Sequence, residues 1–439
     1  MKVSAVEPTP ASQNRQAPSF AEAFRFWLKL GFISFGGPSG QIAVMHSELV
    51  ERRKWIDEAR FLHALNFCML LPGPEAQQLA IYIGWLLHKI RGGIVAGALF
   101  VFPSIFILWA LSYVYVAYGN VRWVAAIFYG LKPAVLAIVA AAVIRIGRRA
   151  LRNALMWAIA ATAFVAIYFF HAPFPAIVIS AGVLGFVAEK FSGGLIPAVL
   201  EEAATSTSYF EDARPTLARN VQIVAIWMSL WWAPIALAAF LLGTQHTIFR
   251  EGIFFTKAAL VTFGGAYAVL PYVSQQAVEN YHWLAPGQML DGLGLAETTP
   301  GPLIMVLQFV GFLGAWNHPG NLPPLLSATF GALITTWVTF VPCFLWIFLG
   351  APYIERLRGY KSLTTALSTV TAAVVGVILN LAIWFGLHVI FPPGRNADWF
   401  ALIICTITFL GMVRWRWNIV PVVLGSGLVG LIYTLAGFR

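Results

Sequence analysis

The sequence predicts an all-α, polytopic helical membrane protein made of two inverted-topology repeats whose helices are broken. Three observations carry that prediction. Of its 439 residues, 59% are hydrophobic and 10% charged, with a mean hydropathy of +0.77. A soluble domain holds about 25% charged residues, so a soluble globule is excluded. Apolar runs recur from Phe24 to the C-terminus, each of about 20 residues and long enough to cross a hydrocarbon core of roughly 30 Å. Finally, "SFGGPSG" at 34–40 and "TFGGAYA" at 262–268 place the same helix breakers inside two such runs.

The first segment, 1–20, is polar and proline-containing, without the apolar stretch of a cleaved signal, and is expected to be a disordered leader. Thirteen spans are expected after it, at about 24–47, 61–87, 93–118, 123–144, 153–171, 174–189, 220–243, 253–275, 290–315, 324–350, 364–390, 398–413 and 417–436. A hydrophilic stretch of mixed charge, 189–219, links a first repeat (21–188) to a second (220–439, core 253–390). The formal charge of +10 fits basic residues gathered in cytoplasmic loops, and no nucleic-acid partner is expected. With the N-terminus inside, seventeen basic residues fall inside and eight outside, which puts the C-terminus outside. The basic "ERRKWIDEAR" (51–60) then falls outside, against the trend.

A shift of 228 residues aligns 28–74 with 256–302 without a gap, and twelve of 47 positions are identical. They include Lys29/Lys257, Phe35-Gly36-Gly37/Phe263-Gly264-Gly265, Glu51/Glu279, Trp55/Trp283 and Pro72-Gly73-Pro74/Pro300-Gly301-Pro302. The repeats start seven spans apart, an odd number, so the copies face opposite sides. Inverted repeats with Gly/Pro-interrupted spans characterise secondary transporters, whose site lies between the broken helices.

At each break the backbone loses intrahelical hydrogen bonds that hydrocarbon cannot replace. The chain restarts near Pro38, Pro74 and Pro302, and each restart aims free N–H groups and the positive end of a helix dipole into the membrane. That arrangement suits an anion. The expected substrate-binding residues are therefore Lys29, Ser34, Gly36, Gly37, Ser39, Pro72, Gly73, Pro74, Lys257, Thr262, Gly264, Gly265, Pro300, Gly301 and Pro302.

Two copies of an "FGG…E…W…PGP" unit in one chain resemble the chromate ion transporter family, whose long-chain members fuse two homologous domains. The resemblance covers both halves. It implies oxyanion transport, usually chromate efflux giving resistance, with sulfate as a related substrate. The halves differ: Glu75 directly follows the first PGP, whereas Glu297 precedes the second by three residues and Leu303 follows it.

Lys29 and Lys257 stand seven residues, about two turns, before Gly36 and Gly264. They read either as anion-attracting charges or as snorkelling side chains. Glu75 and Glu297 fall near the expected midplane, where a charge is costly, and are the expected proton-coupling residues. Trp55 and Trp283 read as interfacial anchors. Lys132 is a further cation inside a span, without a counterpart in the aligned repeat. Cys68, Cys343 and Cys405 lie far apart and the histidines lack ligand spacing, so no metal and no cofactor is expected. A nucleotide loop, a zinc-protease motif and a nucleophile elbow are all missing, which argues against an enzyme or an ATP-driven pump. An anion channel or a carrier of sulfate or another oxyanion is the alternative. The expected location is a bacterial inner membrane, with the lipid bilayer and the oxyanion as partners; a homodimer is among the assemblies the sequence allows.

Overall fold

The computed structural model describes residues 18–35, 37–192, 216–353, 361–392 and 396–437. Residues 1–17 of the expected leader and most of the expected linker lie outside the described residues, as does Gly36, whereas Ser19 and Phe20, expected in the leader, cap and start the first helix. Among the described residues the regular structure is entirely helical. Five helices are long and apolar enough to cross a membrane: Glu75–Tyr118, Arg122–Ala150, Leu217–Leu242, Pro324–Tyr353 and Thr365–Ile390.

The broken stretches form the centre. In the first repeat, α1 (Phe20–Ile33) ends at Ser34, and α2 (Gly37–His46) continues into a π-helical turn, Ser47–Arg52. Next comes α3 (Glu58–Cys68), and after PGP begins α4 (Glu75–Tyr118). The first 14-residue helix is about 21 Å long, short of a crossing. The chain then turns back. Arg53 returns to the start of α1, 3.8 Å from Glu22 and over the Phe26 ring at 5.0 Å, and Trp55 meets Phe26 edge-on at 5.2 Å.

The α4 helix is itself two antiparallel arms, because His88 and Lys89 leave helical geometry and Lys89 has φ +52°. Gly84 packs so closely on Gly92 that a Cβ would come within 2.5 Å of its carbonyl oxygen. At the end of the first arm His88 bonds the Pro18 carbonyl at 2.9 Å, back beside the start of α1. The 24–47 and 61–87 stretches are therefore re-entrant hairpins entering from one end of the molecule, and only the second arm of α4 runs its full length.

The second repeat does the same. Its helices are α9 (Thr247–Leu260), α10 (Ala266–Gln275) with a π turn at Gln276–Asn280, α11 (Pro286–Thr298), α12 (Val306–Asn317) and the long α13 (Pro324–Gly350). His318 bonds the carbonyl of His282 at 3.1 Å and accepts at its own carbonyl from Thr247 at 2.9 Å, so both hairpins begin and end at one level. The π turns fall at matched places. Each is followed by a residue at positive φ, Lys54 (54°) and His282 (53°), and by a Trp whose N–H bonds back into the turn.

Inversion is visible in the long helices. Gly93 of α4 lies against Phe348 of α13, Gly97 against Phe344, and the Trp109 indole donates to Thr329 at 3.1 Å. Residue numbers rise along one helix as they fall along its counterpart, as a two-fold axis across the helices requires.

The remaining helices wrap this centre: α5 (Arg122–Ala150), α6 (Ala154–Phe170), α7 (Phe174–Ser192), α8 (Leu217–Leu242), α14 (Lys361–Ile390), α15 (Trp399–Arg414) and α16 (Ile419–Leu435). They pack through small residues, as at Gly130 against Ser426 and Gly430, and by bonds such as Thr369 to the Ala181 carbonyl at 2.7 Å.

Two sequence expectations change. Four of the thirteen expected spans turn back at the break and do not cross, because each half-helix is too short and its tip finds partners in protein. Residues 47–60 consequently lie at the same end as the start of α1, so "ERRKWIDEAR" no longer opposes the charge count. Cysteines placed at Lys54 and at His282 should label with impermeant thiol reagents from opposite sides of the membrane. Labelling of both from one side would contradict the inversion, and labelling of Lys54 from the side opposite Lys89 would contradict the hairpins.

Candidate functional site

The hairpin tips meet crosswise. The N–H of Gly73 donates to the Thr262 carbonyl at 2.8 Å, and the N–H of Gly301 to the Ser34 carbonyl at 2.7 Å. These two bonds exchange under the 228-residue shift, so the FGG break of each repeat is satisfied by the PGP break of the other. Gly73 and Gly301 have φ +122° and +103°, backbone that an L side chain resists. Side chains finish the joint: Gln78 donates to the Pro72 carbonyl at 2.8 Å, Ser104 to that of Pro300 at 2.7 Å, and Gln41 to that of Gly301. Hydrocarbon could not supply these partners.

A cavity of about 240 Å³ reaches this joint from the N-terminal end of the molecule. It is lined by Pro38 and Ile42 of α2, Glu75 of α4, Gly264, Gly265 and Tyr267 at the second break, Arg145 and Arg149 of α5, and Thr371 of α14. Water takes about 30 Å³ per molecule, so the space suits a small hydrated ion. The starts of α2, α4 and α10 face it, each presenting the positive end of a helix dipole. Two guanidiniums add full charges with fork geometry suited to oxyanions. Behind the wall, the Tyr267 hydroxyl donates to Glu297, and the Arg145 guanidinium lies in electrostatic reach of the same carboxylate.

The structure sorts the expected residues. Gly264, Gly265 and Glu75 line the cavity, and Glu297 sits one side chain behind it. Gly37, at φ +70°, starts α2 beside Pro38, and the side chain of Ser39 lies outside the description. Pro72, Gly73, Pro74, Pro300, Gly301 and Pro302 build the joint and are not among the residues that line the cavity; the N–H groups of both glycines are already spent. Ser34 and Thr262, expected among the substrate-binding residues, are fully buried, and each hydroxyl donates at 2.7 Å to the carbonyl four residues back in its own helix. Lys29 and Lys257 are exposed on the outer flanks of α1 and α9 and do not line the cavity. Trp283, read as an interfacial anchor, is buried among Tyr281, Phe254 and Phe255, with ring centroids 4.4, 5.7 and 6.2 Å away.

Sequence reasoning missed Arg145 and Arg149, counted only as loop charges near the end of a span. The signal available was their spacing: i and i+4 put both on one face of α5. Tyr267 sits two residues after the second break, and the first copy has Ser39 at that position.

The family described as chromate transporter matches residues 21–186 and 250–431, a copy in each half. The chain belongs to the chromate transporter family. Among relatives in this family, it is 28% identical to the chromate transport protein of Cupriavidus metallidurans, over 97% of this chain and 96% of that one. It is 31% identical to the chromate transport protein of Pseudomonas aeruginosa, over 94% and 92%. A probable chromate transport protein of Synechococcus elongatus is 29% identical over 84% and 85%. No solved structure matches the chain. For a chromate transporter of this family, the geometry above supplies a joint of two inverted breaks and an arginine-lined cavity against it.

Proposed function

We propose that the protein is a secondary transporter of tetrahedral oxyanions, chromate first among them, that exports the dianion and so gives chromate resistance. The observation that carries this reading is the joint itself. Two inverted breaks hold each other by backbone hydrogen bonds, and a cavity with two arginines and three helix starts lies against them. The names of the full-length relatives support chromate as the substrate.

The N-terminal end is assigned to the cytoplasm. With the hairpins re-entrant, Arg52, Arg53, Lys54 and Arg60 join that side, leaving Arg122, Arg250, Arg395 and Arg439 on the other. The cavity then faces the cytoplasm of a bacterial inner membrane, the loading side for efflux. Chromate meets Arg145, Arg149 and the N–H groups at the starts of α2 and α10. Transport requires the cavity to close on the cytoplasmic side and the joint to open on the other.

Proton coupling is assigned to Glu75 and Glu297. An ionised carboxylate beside a dianion repels it, so protonation favours binding, and chromate affinity should fall as pH rises. Glu297→Gln should flatten that dependence while keeping or raising affinity, since the amide mimics the protonated acid. Unchanged pH dependence in Glu297→Gln, with a flat profile in Glu75→Gln, would move the role to Glu75. Uptake of labelled chromate into everted vesicles across a pH series, with sulfate as competitor, makes the measurement. If uptake does not exceed that of vesicles lacking the protein, the transport reading falls.

A further inference from the structure

A cavity of about 950 Å³ lies at the opposite end of α5 from the arginine cavity. It is lined by Tyr115, Arg122, Tyr129, Lys132, Asp291 and Asp398, among others, and by no residue of either FGG or PGP break. It is therefore a separate vestibule, closed off from the joint in this conformation. Lys132 and Arg145 are thirteen residues apart on α5, about 20 Å along its axis. One helix thus presents a cation to each vestibule.

Most charged or titratable groups here are already committed. Tyr129 donates to both oxygens of Asp398, at 2.9 and 2.7 Å, and one of them also caps α15 through the Ala401 N–H. Arg122 reaches the Thr434 carbonyl at 3.4 Å, and His388 bonds the Trp384 carbonyl at 2.8 Å. Lys132 differs. Its ammonium lies 3.4 Å from Asp291 Oδ2, which also accepts from the Tyr115 hydroxyl at 2.9 Å. Asp291 is 3% exposed, and its Oδ1 has no hydrogen-bond partner. The lysine side chain keeps about a third of its surface accessible. A carboxylate thus occupies a cation at the floor of a polar vestibule, and its second oxygen is unused.

We infer that this vestibule is a second anion-binding station, in which Lys132 takes the oxyanion when Asp291 lets go of it. The inference rests on the oxyanion-transport reading above. In the present conformation Asp291 stands in for the substrate and keeps the station shut. Asp291 and Glu297 lie on one short helix, α11, which packs against α5. A movement of α11 that draws Glu297 away from Tyr267 and Arg145 also shifts Asp291 against Lys132, so one rigid element links the two stations. When Asp291 reclaims Lys132, the dianion loses its cation and is released outward.

The test is binding stoichiometry of labelled chromate to the purified full chain in detergent, at fixed ionic strength. The native protein should bind one chromate per chain, at the arginine cavity. Asp291→Asn frees Lys132 and should add a second site, tighter than any outer-vestibule binding of the native chain by roughly ten- to a hundredfold, the range for one charge-assisted hydrogen bond. Lys132→Gln/Asp291→Asn removes both charges, leaves no buried ion unpaired, and should return the count to one. Arg145→Gln/Asp291→Asn should keep only the outer site. If Asp291→Asn binds one chromate with native affinity, the second station is overturned while the arginine cavity stands. If the native chain and Asp291→Asn both bind none, the transport reading itself fails.

Discussion

Gly301→Ala is expected to abolish transport and to lower the stability of the folded protein by about 3 kcal/mol or more. Two costs add at this position. Its φ of +103° is closed to an alanine without strain, a penalty on the order of 1–2 kcal/mol. A Cβ would also fall directly on the Ser104 hydroxyl, and forcing atoms into a packed site costs about 1–3 kcal/mol. Ser104 cannot simply swing away, because it donates to the Pro300 carbonyl. Any relief by backbone movement breaks the Gly301 to Ser34 hydrogen bond that closes one side of the joint. The matched Gly73→Ala should act in the same direction but less strongly. Its Cβ would meet Cys343 Sγ and the Gln78 amide at 3.0 Å, a milder overlap, and although the amide donates to the Pro72 carbonyl it ends a longer, more flexible side chain than Ser104. Thermal unfolding in detergent, alongside chromate flux in proteoliposomes, measures both. Native stability and flux in Gly301→Ala would mean that the tips do not meet as described.

Arg145→Gln should lower chromate flux at subsaturating concentration by at least about a hundredfold. The guanidinium is the cavity cation closest in function to both substrate and coupling residue, because it lines the cavity and also acts on Glu297. Its loss removes a charge-assisted contact worth about 1.5–3 kcal/mol and leaves the buried carboxylate without its cation. Two controls separate the effects. Arg145→Lys keeps the charge but loses the fork, and should recover flux only in part. Arg145→Gln/Glu297→Gln removes the stranded acid; if this pair folds well yet still binds chromate weakly, the arginine serves the substrate. Arg149, one turn further along α5, is the comparison: if Arg149→Gln fails and Arg145→Gln transports normally, the principal ligand is Arg149.

The class of molecule, the duplication and the location of the breaks were all legible in the chain. Composition excludes water as the solvent for most of the surface, and Gly-Gly and Pro-Gly-Pro interrupt a helix wherever it packs, so these properties are local. Parity is also a property of the chain, which is why the inverted relation of α4 and α13 was legible before any contact was known. Glu75, Gly264 and Gly265, which line the arginine cavity, were expected near the breaks for the same reason: a break in hydrocarbon must face something polar.

What each break faces depends on contacts between segments far apart in the chain. Hydropathy registers a predominantly apolar stretch of 24 residues at 24–47 whether it crosses or turns back. The turn is decided by Arg53 and Trp55 returning to Phe26. The partner of a broken backbone is likewise a long-range matter: Gly73 bonds Thr262 and Gly301 bonds Ser34 across almost two hundred residues and more of chain. Those bonds turned the PGP motifs from expected ligands into the joint. The arginines escaped notice because a charge near the end of a span reads as a loop residue until the hairpin tips are seen beside it. Lys132 lacked a counterpart in the repeat, and its partner Asp291 comes from a different helix. One-dimensional pattern reports what a residue costs in hydrocarbon; which group offsets that cost depends on contacts between segments distant in sequence.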